Sequence, residues 1–160
     1  MKKYIFVLAF AFVFTSVFSQ KHEYIDALGL RGGLSSGITY KHFMDKTRAL
    51  EGIITTRWHG FSITGLFEFH DIAFETAHLY WYYGGGAHVG FYDSYKNTPW
   101  LNSGESAVLL GVDGIIGIEY NIQEIPINIS LDWKPAINFT GGAGIFPDEI
   151  ALSIRYTFPK

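Results

Sequence analysis

Between positions 127 and 139 the chain reads INISLDWKPAINF, two sequences interleaved. Ile127, Ile129, Leu131, Trp133, Ile137 and Phe139 share one parity, and Asn128, Ser130, Asp132, Lys134 and Asn138 share the other. Strict alternation is the signature of a strand whose two faces meet different surroundings. The same period runs through 25–32, 37–43, 49–58, 61–70, 79–91, 108–120, 127–138 and 149–158, which predicts eight strands. Turn chemistry separates them at 33–36, 44–47, 59–60, 71–78, 92–107, 121–126 and 140–148, the last carrying Gly141, Gly142, Gly144 and Pro147. No helical period competes past residue 20. Consecutive strands joined by short links form antiparallel hairpins, and eight of them predict an all-β, up-and-down barrel, closure being the arrangement that leaves no edge exposed. A two-sheet sandwich is the rival architecture.

The parities differ in size as well as polarity. One holds Leu50, Ile54, Phe61, Phe67, Phe69, Trp81, Tyr83, Phe91, Leu131, Trp133, Ile154 and Tyr156 among its members and no charge in the six later strands. The other holds Glu51, Arg57, Glu68, Asp113, Glu119, Asp132, Lys134 and Arg155, interspersed with Gly84, Gly86, Gly111, Gly117, Ser130 and Ser153. Arg31 and Lys41 from the first two strands bring the charged set to five cations and five anions. An eight-stranded barrel has an interior just wide enough for side chains to fill. Small residues belong where space is short, so the charged parity is expected inside, as a balanced ionic plug, and the bulky parity outside against lipid. An unpaired charge on a lipid-facing wall costs about 2–4 kcal/mol at the bilayer midplane, which accounts for its absence there. Aromatics near strand ends, Trp58, Phe91 and Phe139 at one rim and Tyr40, Trp81, Tyr120, Tyr156 and Phe158 at the other, suit interfacial girdles.

The first residues, MKKYIFVLAFAFVFTSVFSQ, have two lysines, an apolar run and small residues at Ser16 and Ser19, the layout of a secretory signal peptide. The expected division is a leader over 1–19 and one barrel domain over 20–160. Without the leader, ten Lys plus Arg face fifteen Asp plus Glu, so nucleic acid is not an expected partner. Cysteine is absent, which excludes disulfides, thiolate metal sites and a cysteine nucleophile.

The stretches GLRGG (29–33), SGITYKHF (36–43), YYGGGAHVGFY (82–92), GIIGIEY (114–120), IPINISLDWKPAINF (125–139) and ALSIRYTF (151–158) resemble the small outer-membrane β-barrel proteins of Bacteroidota-type bacteria. In size and strand count the chain is also similar to the OmpX and OmpA transmembrane class. The resemblance implies residence in the bacterial outer membrane and contact with outer-membrane lipid. It also implies insertion by the outer-membrane assembly machinery, for which an alternating last strand ending near Phe158 is the usual address. Here Pro159 and Lys160 follow that aromatic.

The chemistry-bearing residues favour structure over catalysis. YYGGGAHVG fits neither phosphate-loop pattern and lies in a strand. Glu68, His70 and His88 make a metal trio only if their heights coincide. Ser62 with His59, or Ser94 with His88, lack a third residue for acyl transfer. Asp113, Glu119 and Asp132 share their face with Arg57, Lys134 and Arg155, which favours ion pairs over acid–base work. The expectation is a plugged outer-membrane barrel with no cofactor, metal or enzymatic step, acting in envelope structure or surface contact through 92–107 and 140–148. A lipid A-modifying enzyme and a soluble, lipocalin-like carrier of apolar ligands are the alternatives.

Overall fold

Ten strand segments account for nearly all of what the computed structural model describes, which is residues 24–57, 60–92, 107–141, 144–147 and 149–159. The expected leader, Trp58, His59, Ser94 and most of 92–107 lie outside those residues. The segments are β1 (Tyr24–Gly33), β2 (Ser36–Phe43), β3 (Arg48–Arg57), β4 (Gly60–Ile72), β5 (Leu79–Tyr92), β6 (Ala107–Ile122), β7 (Ile127–Trp133), β8 (Ala136–Asn138), β9 (Gly144–Phe146) and β10 (Ile150–Pro159). Each pairs antiparallel with its sequence neighbour from β1 through β7, and β10 pairs with both β7 and β1. The sheet therefore closes into an eight-stranded antiparallel barrel, β7 with β8 and β9 with β10 each forming one interrupted stave. We call the end carrying the 33–36 turn the upper rim and the end where β1 begins the lower rim.

Alternation becomes burial. Along β3 every second residue is buried, Ala49, Glu51, Ile53 and Thr55, while Leu50, Gly52, Ile54 and Thr56 are exposed. Register carries this pattern round the wall: Leu30 faces Ile154, which faces Ile129, and one step along, Arg31 faces Ser153, which faces Ser130. A slip by one residue would exchange the two faces throughout. The outer wall is lined by aromatic pairs such as Phe61 on Phe91 and Phe69 on Tyr83, with ring centroids 5.1 and 5.7 Å apart. Inside, an apolar patch of Ile53, Leu66, Tyr82 and Ile115 packs beside the ionic groups.

Glycine on the inner face makes room for rings. A Cβ on Gly117 would stand 2.6 Å from Tyr82 Cζ, and one on Gly60 would stand 2.3 Å from Tyr92 Cδ1. Two turns are held by different means. Asp45 closes 44–47 by accepting from the Thr47 and Arg48 amides at 2.9 and 2.8 Å, with the Arg48 guanidinium also on its carboxylate. Chiefly through the Thr47 amide, this holds the Asp45 carboxyl down at about 2. The turn after β4 places three residues other than glycine, Phe74, Glu75 and His78, in the left-handed region, at φ 52°, 54° and 66°. Bonds from Ala73 N to Leu79 O (2.9 Å) and Thr76 N to Ala73 O (3.0 Å) tie it together.

Two expectations are corrected at the upper rim. The seventh strand is not continuous over 127–138, and 140–148 is not purely a turn, since β9 within it pairs with β8. Pro135 has no N–H to give to the ladder. Its carbonyl instead accepts from Gly114 N at 2.9 Å, and the ladder resumes at Ala136 opposite Phe146. On the other side of Pro135, Lys134 N donates to Glu149 O at 2.8 Å, so the ladder is interrupted at the proline. The glycine-rich composition of 140–148 hid a short strand whose pairing partner lies across a hairpin.

Candidate functional site: the ionic interior

Seven staves, all but β5, send charged side chains inward, because residues of equal parity on paired strands project into the same narrow lumen. Of the ten interior charges expected from sequence, Arg31, Lys41, Glu51, Glu68, Asp113, Glu119, Asp132, Lys134 and Arg155 are buried and Arg57 is half-buried. The structure sorts the nine buried ones into two groups.

The central group surrounds Lys41 and Arg155, both 0 % exposed. Lys41 Nζ lies 2.8 Å from Glu68, 3.3 Å from Glu51 and 3.4 Å from Glu119, and 4.1 Å above the ring of Tyr82. Arg155 spreads its donors over three strands: to Glu51 Oε1 at 2.5 Å, Ser130 Oγ at 2.7 Å, Asn128 Oδ1 at 3.2 Å and Thr39 Oγ1 at 3.3 Å. Thr39 in turn donates to Glu51. His70 sits between two carboxylates, Nε2 at 3.0 Å from Glu68 and Nδ1 at 3.5 Å from Glu119, with its ring stacked on Tyr82 at 5.0 Å. Tyr24 closes the group from the lower rim by donating to Glu119 at 3.3 Å.

The upper group begins with Arg31, whose fork grips both oxygens of Asp132 at 2.7 and 2.6 Å. That two-point geometry suits guanidinium and carboxylate planes. Lys134 bridges Asp113 and Glu149 at 2.9 and 3.2 Å, His88 Nδ1 meets Asp113 at 2.7 Å, and Ser35 donates to Glu149 at 2.9 Å. Tyr82 joins the two groups, donating to Asp132 at 3.1 Å while its ring lies under Lys41 and beside His70.

This geometry bears on the chemistry read from sequence. Asp113, Glu119 and Asp132 each face a cation, so each carboxylate is engaged as an ion-pair partner. His70 and His88 belong to different groups: His70 is opposite Tyr82, six positions down β5 from His88. Among the described residues no three His, Asp or Glu side chains are arranged to hold a metal. The Ser62 hydroxyl lies 3.2 Å from Thr55 Oγ1, while His59 and Ser94 fall outside the described residues.

Several members escaped the sequence reading. Glu149 and Tyr82 have the inward parity of their strands, and that signal alone would have found them. Tyr24 was beyond reach of parity, because a register irregularity between Tyr24 and Asp26 turns it inward together with Ala27. Comparison with protein-family models and with curated proteins finds no match to this chain.

Proposed function

We propose that the protein is an integral barrel of the bacterial outer membrane, plugged by its ionic interior, with a structural or surface-contact role and no catalytic step. The observation that carries this reading is the inversion of ordinary polarity. Leu30 is 69 % exposed on the outer wall, and Arg155, on the stave paired with it, is 0 % exposed inside. Monomers in water seldom present contiguous apolar surface beyond a few hundred Å². Here such residues occur on every stave, from Leu28 on β1 to Phe158 on β10, and aliphatic and aromatic side chains facing acyl chains remove that cost. A closed barrel also satisfies its backbone groups without water, as a bilayer crossing by strands requires.

The interior supports a plug over a carrier. A lipocalin-like lumen needs an apolar cavity, and this one is occupied at mid-height by Lys41, Arg155, Glu51, Glu68 and Glu119. With both ends of the barrel chain at the lower rim, that rim faces the periplasm. The upper rim, with 92–107 and 140–148, faces outward, where partners would be met.

Fractionation of expressing cells tests the reading. The protein should stay in the membrane pellet through an alkaline carbonate wash, enter solution with detergent, and migrate differently on a gel before and after heating in SDS. Recovery as a freely dissolved periplasmic or secreted protein would overturn it. Lipid A mass spectra from a deletion strain should match those of the parent, and a changed acyl pattern would favour the enzyme.

A further inference from the structure

We propose that the outer wall at the lower rim carries a docking site for one phospholipid headgroup, of the class that joins a phosphate to a primary ammonium. The inference rests on the membrane reading above and adds to it a lipid that the barrel selects. Among the described strand residues, the outward parity carries an acid, a base or an imidazole at four positions only: Asp26 on β1, His42 on β2, Arg48 on β3 and Asp71 on β4. All four lie at the lower ends of adjacent staves. Asp26 stands opposite Phe158 and Asp71 opposite Trp81, so the band runs at the level of the lower aromatic girdle. An outward charge is costly at the bilayer midplane and nearly neutral at the interface, which places this band among the headgroups.

Each member is held by a neighbour in a way that leaves one polar edge turned outward. Asp26 Oδ1 accepts from the Tyr40 hydroxyl at 2.6 Å and meets His42 Nδ1 at 2.7 Å, while Asp26 Oδ2 has no partner among the described residues. The side chains of His42 and Asp26 are 44 % and 33 % exposed. Arg48 is tied to the Asp45 carboxylate through Nε alone, and its two terminal nitrogens, on a side chain 53 % exposed, are left as an open fork. Such a fork matches two oxygens of a phosphate. Asp71 Oδ1 accepts from the Ile72 amide at 2.8 Å, and Oδ2 is left over.

Register sets these groups side by side. Leu50 stands opposite His42, so Arg48 is the diagonal neighbour of His42, about 7–8 Å away as in antiparallel sheets generally. Phe69 stands opposite Arg48, which makes Asp71 its diagonal neighbour on the other side. One guanidinium is thus flanked by carboxylate edges on both sides. With Asp45 and Asp26, three carboxylates stand here against Arg48 and Lys46, which disfavours a headgroup of net negative charge. A zwitterion fits, its phosphate on Arg48 and its ammonium donating to Asp26 or Asp71. A quaternary ammonium has no N–H to donate, and a glycerol headgroup brings no positive charge.

The experiment uses the full mature chain, refolded in lauryldimethylamine oxide, with folding checked by the heat-dependent gel shift. It is mixed with equal amounts of phosphatidylethanolamine, phosphatidylcholine and phosphatidylglycerol of matched acyl chains, and the retained lipid is counted by native mass spectrometry. Phosphatidylethanolamine should be retained about fivefold over each of the others, the scale of one charge-assisted hydrogen bond. Arg48→Gln should lower that retention about fivefold, and Arg48→Lys, which keeps the charge and loses the fork, should fall between. Asp26→Asn combined with Asp71→Asn should bring phosphatidylethanolamine down to the level of phosphatidylcholine, and serves if Arg48→Gln does not fold. Equal retention of the three lipids by a folded barrel overturns the site, as does a folded Arg48→Gln chain that retains them as the parent does. Preferential retention of phosphatidylglycerol also overturns it, in favour of a plain anion site. These results leave the location of the barrel standing, because the carbonate wash reads that separately, whereas a chain recovered without membrane overturns both.

Discussion

Lys41→Met is the most direct trial of the interior. The substitution keeps an unbranched stem of comparable reach and removes the ammonium, leaving Glu51, Glu68 and Glu119 without the one group within 3.4 Å of all three. Hydrogen bonds to charged groups contribute about 1.5–3 kcal/mol each, so three contacts set a ceiling near 9. Desolvating the ammonium returns several kcal/mol of that, and removal of one partner from a buried ionic group typically costs about 3–5 kcal/mol. We therefore expect Lys41→Met to destabilise by about 3–5 kcal/mol, a large share of the roughly 5–15 kcal/mol that holds a domain folded. Urea unfolding of the barrel in vesicles, followed by tryptophan fluorescence and gel mobility, reads this as a lowered midpoint at unchanged slope. Glu68→Gln added to Lys41→Met removes the carboxylate that stood 2.8 Å from the lost ammonium. The double variant should be more stable than the sum of the single changes by about 0.5–3 kcal/mol, as for residues sharing one network. If Lys41→Met stays within about 1 kcal/mol of the parent, the scale of a solvent-exposed pair, or the two changes simply add, the account of a water-excluded ionic plug fails.

Other expectations test the wall and the turns. Ile154→Arg, on the outer face at mid-strand, should cost about 2–4 kcal/mol in vesicles, whereas a wall facing water would accept it nearly neutrally. Gly117→Ala sets a Cβ 2.6 Å from Tyr82 Cζ and 2.7 Å from Asp132 Cβ, so urea midpoints should report a loss of about 1–3 kcal/mol. Gly52→Ala, which meets nothing within 4 Å, should stay within about 0.5 kcal/mol. Carbon-detected NMR should find the Asp45 carboxyl titrating at about 2 instead of 3.8. Because its folded value is depressed, its contribution is complete above pH 3.8 and is lost as pH falls through about 2, and Asp45→Asn should flatten the stability profile in that window.

How far the sequence carried the fold can be judged at particular residues. The inward parity of Glu51, Glu68 and Arg155 was legible because period-2 alternation survives wherever a strand is unbroken. The same logic placed Leu50, Phe61 and Ile154 on the outside. It lost its hold where the ladder is irregular: at Tyr24, turned inward beside a register shift, and at Pro135, where the ladder is interrupted and the stave splits. The strand Gly144–Phe146 was masked by glycine and proline, whose local preference for turns is outweighed by pairing with Ala136–Asn138.

The chain's own order of residues determined the number of staves, the division into two faces and the balance of five cations with five anions, because alternation and composition are local properties. Partnership was decided only by closure. Lys41 meets Glu119 from a strand 78 residues away, and Arg31 meets Asp132 across 101. Those distances depend on which strands lie across the lumen and at what height. Stagger and register set both, and they exist only once the sheet has closed on itself.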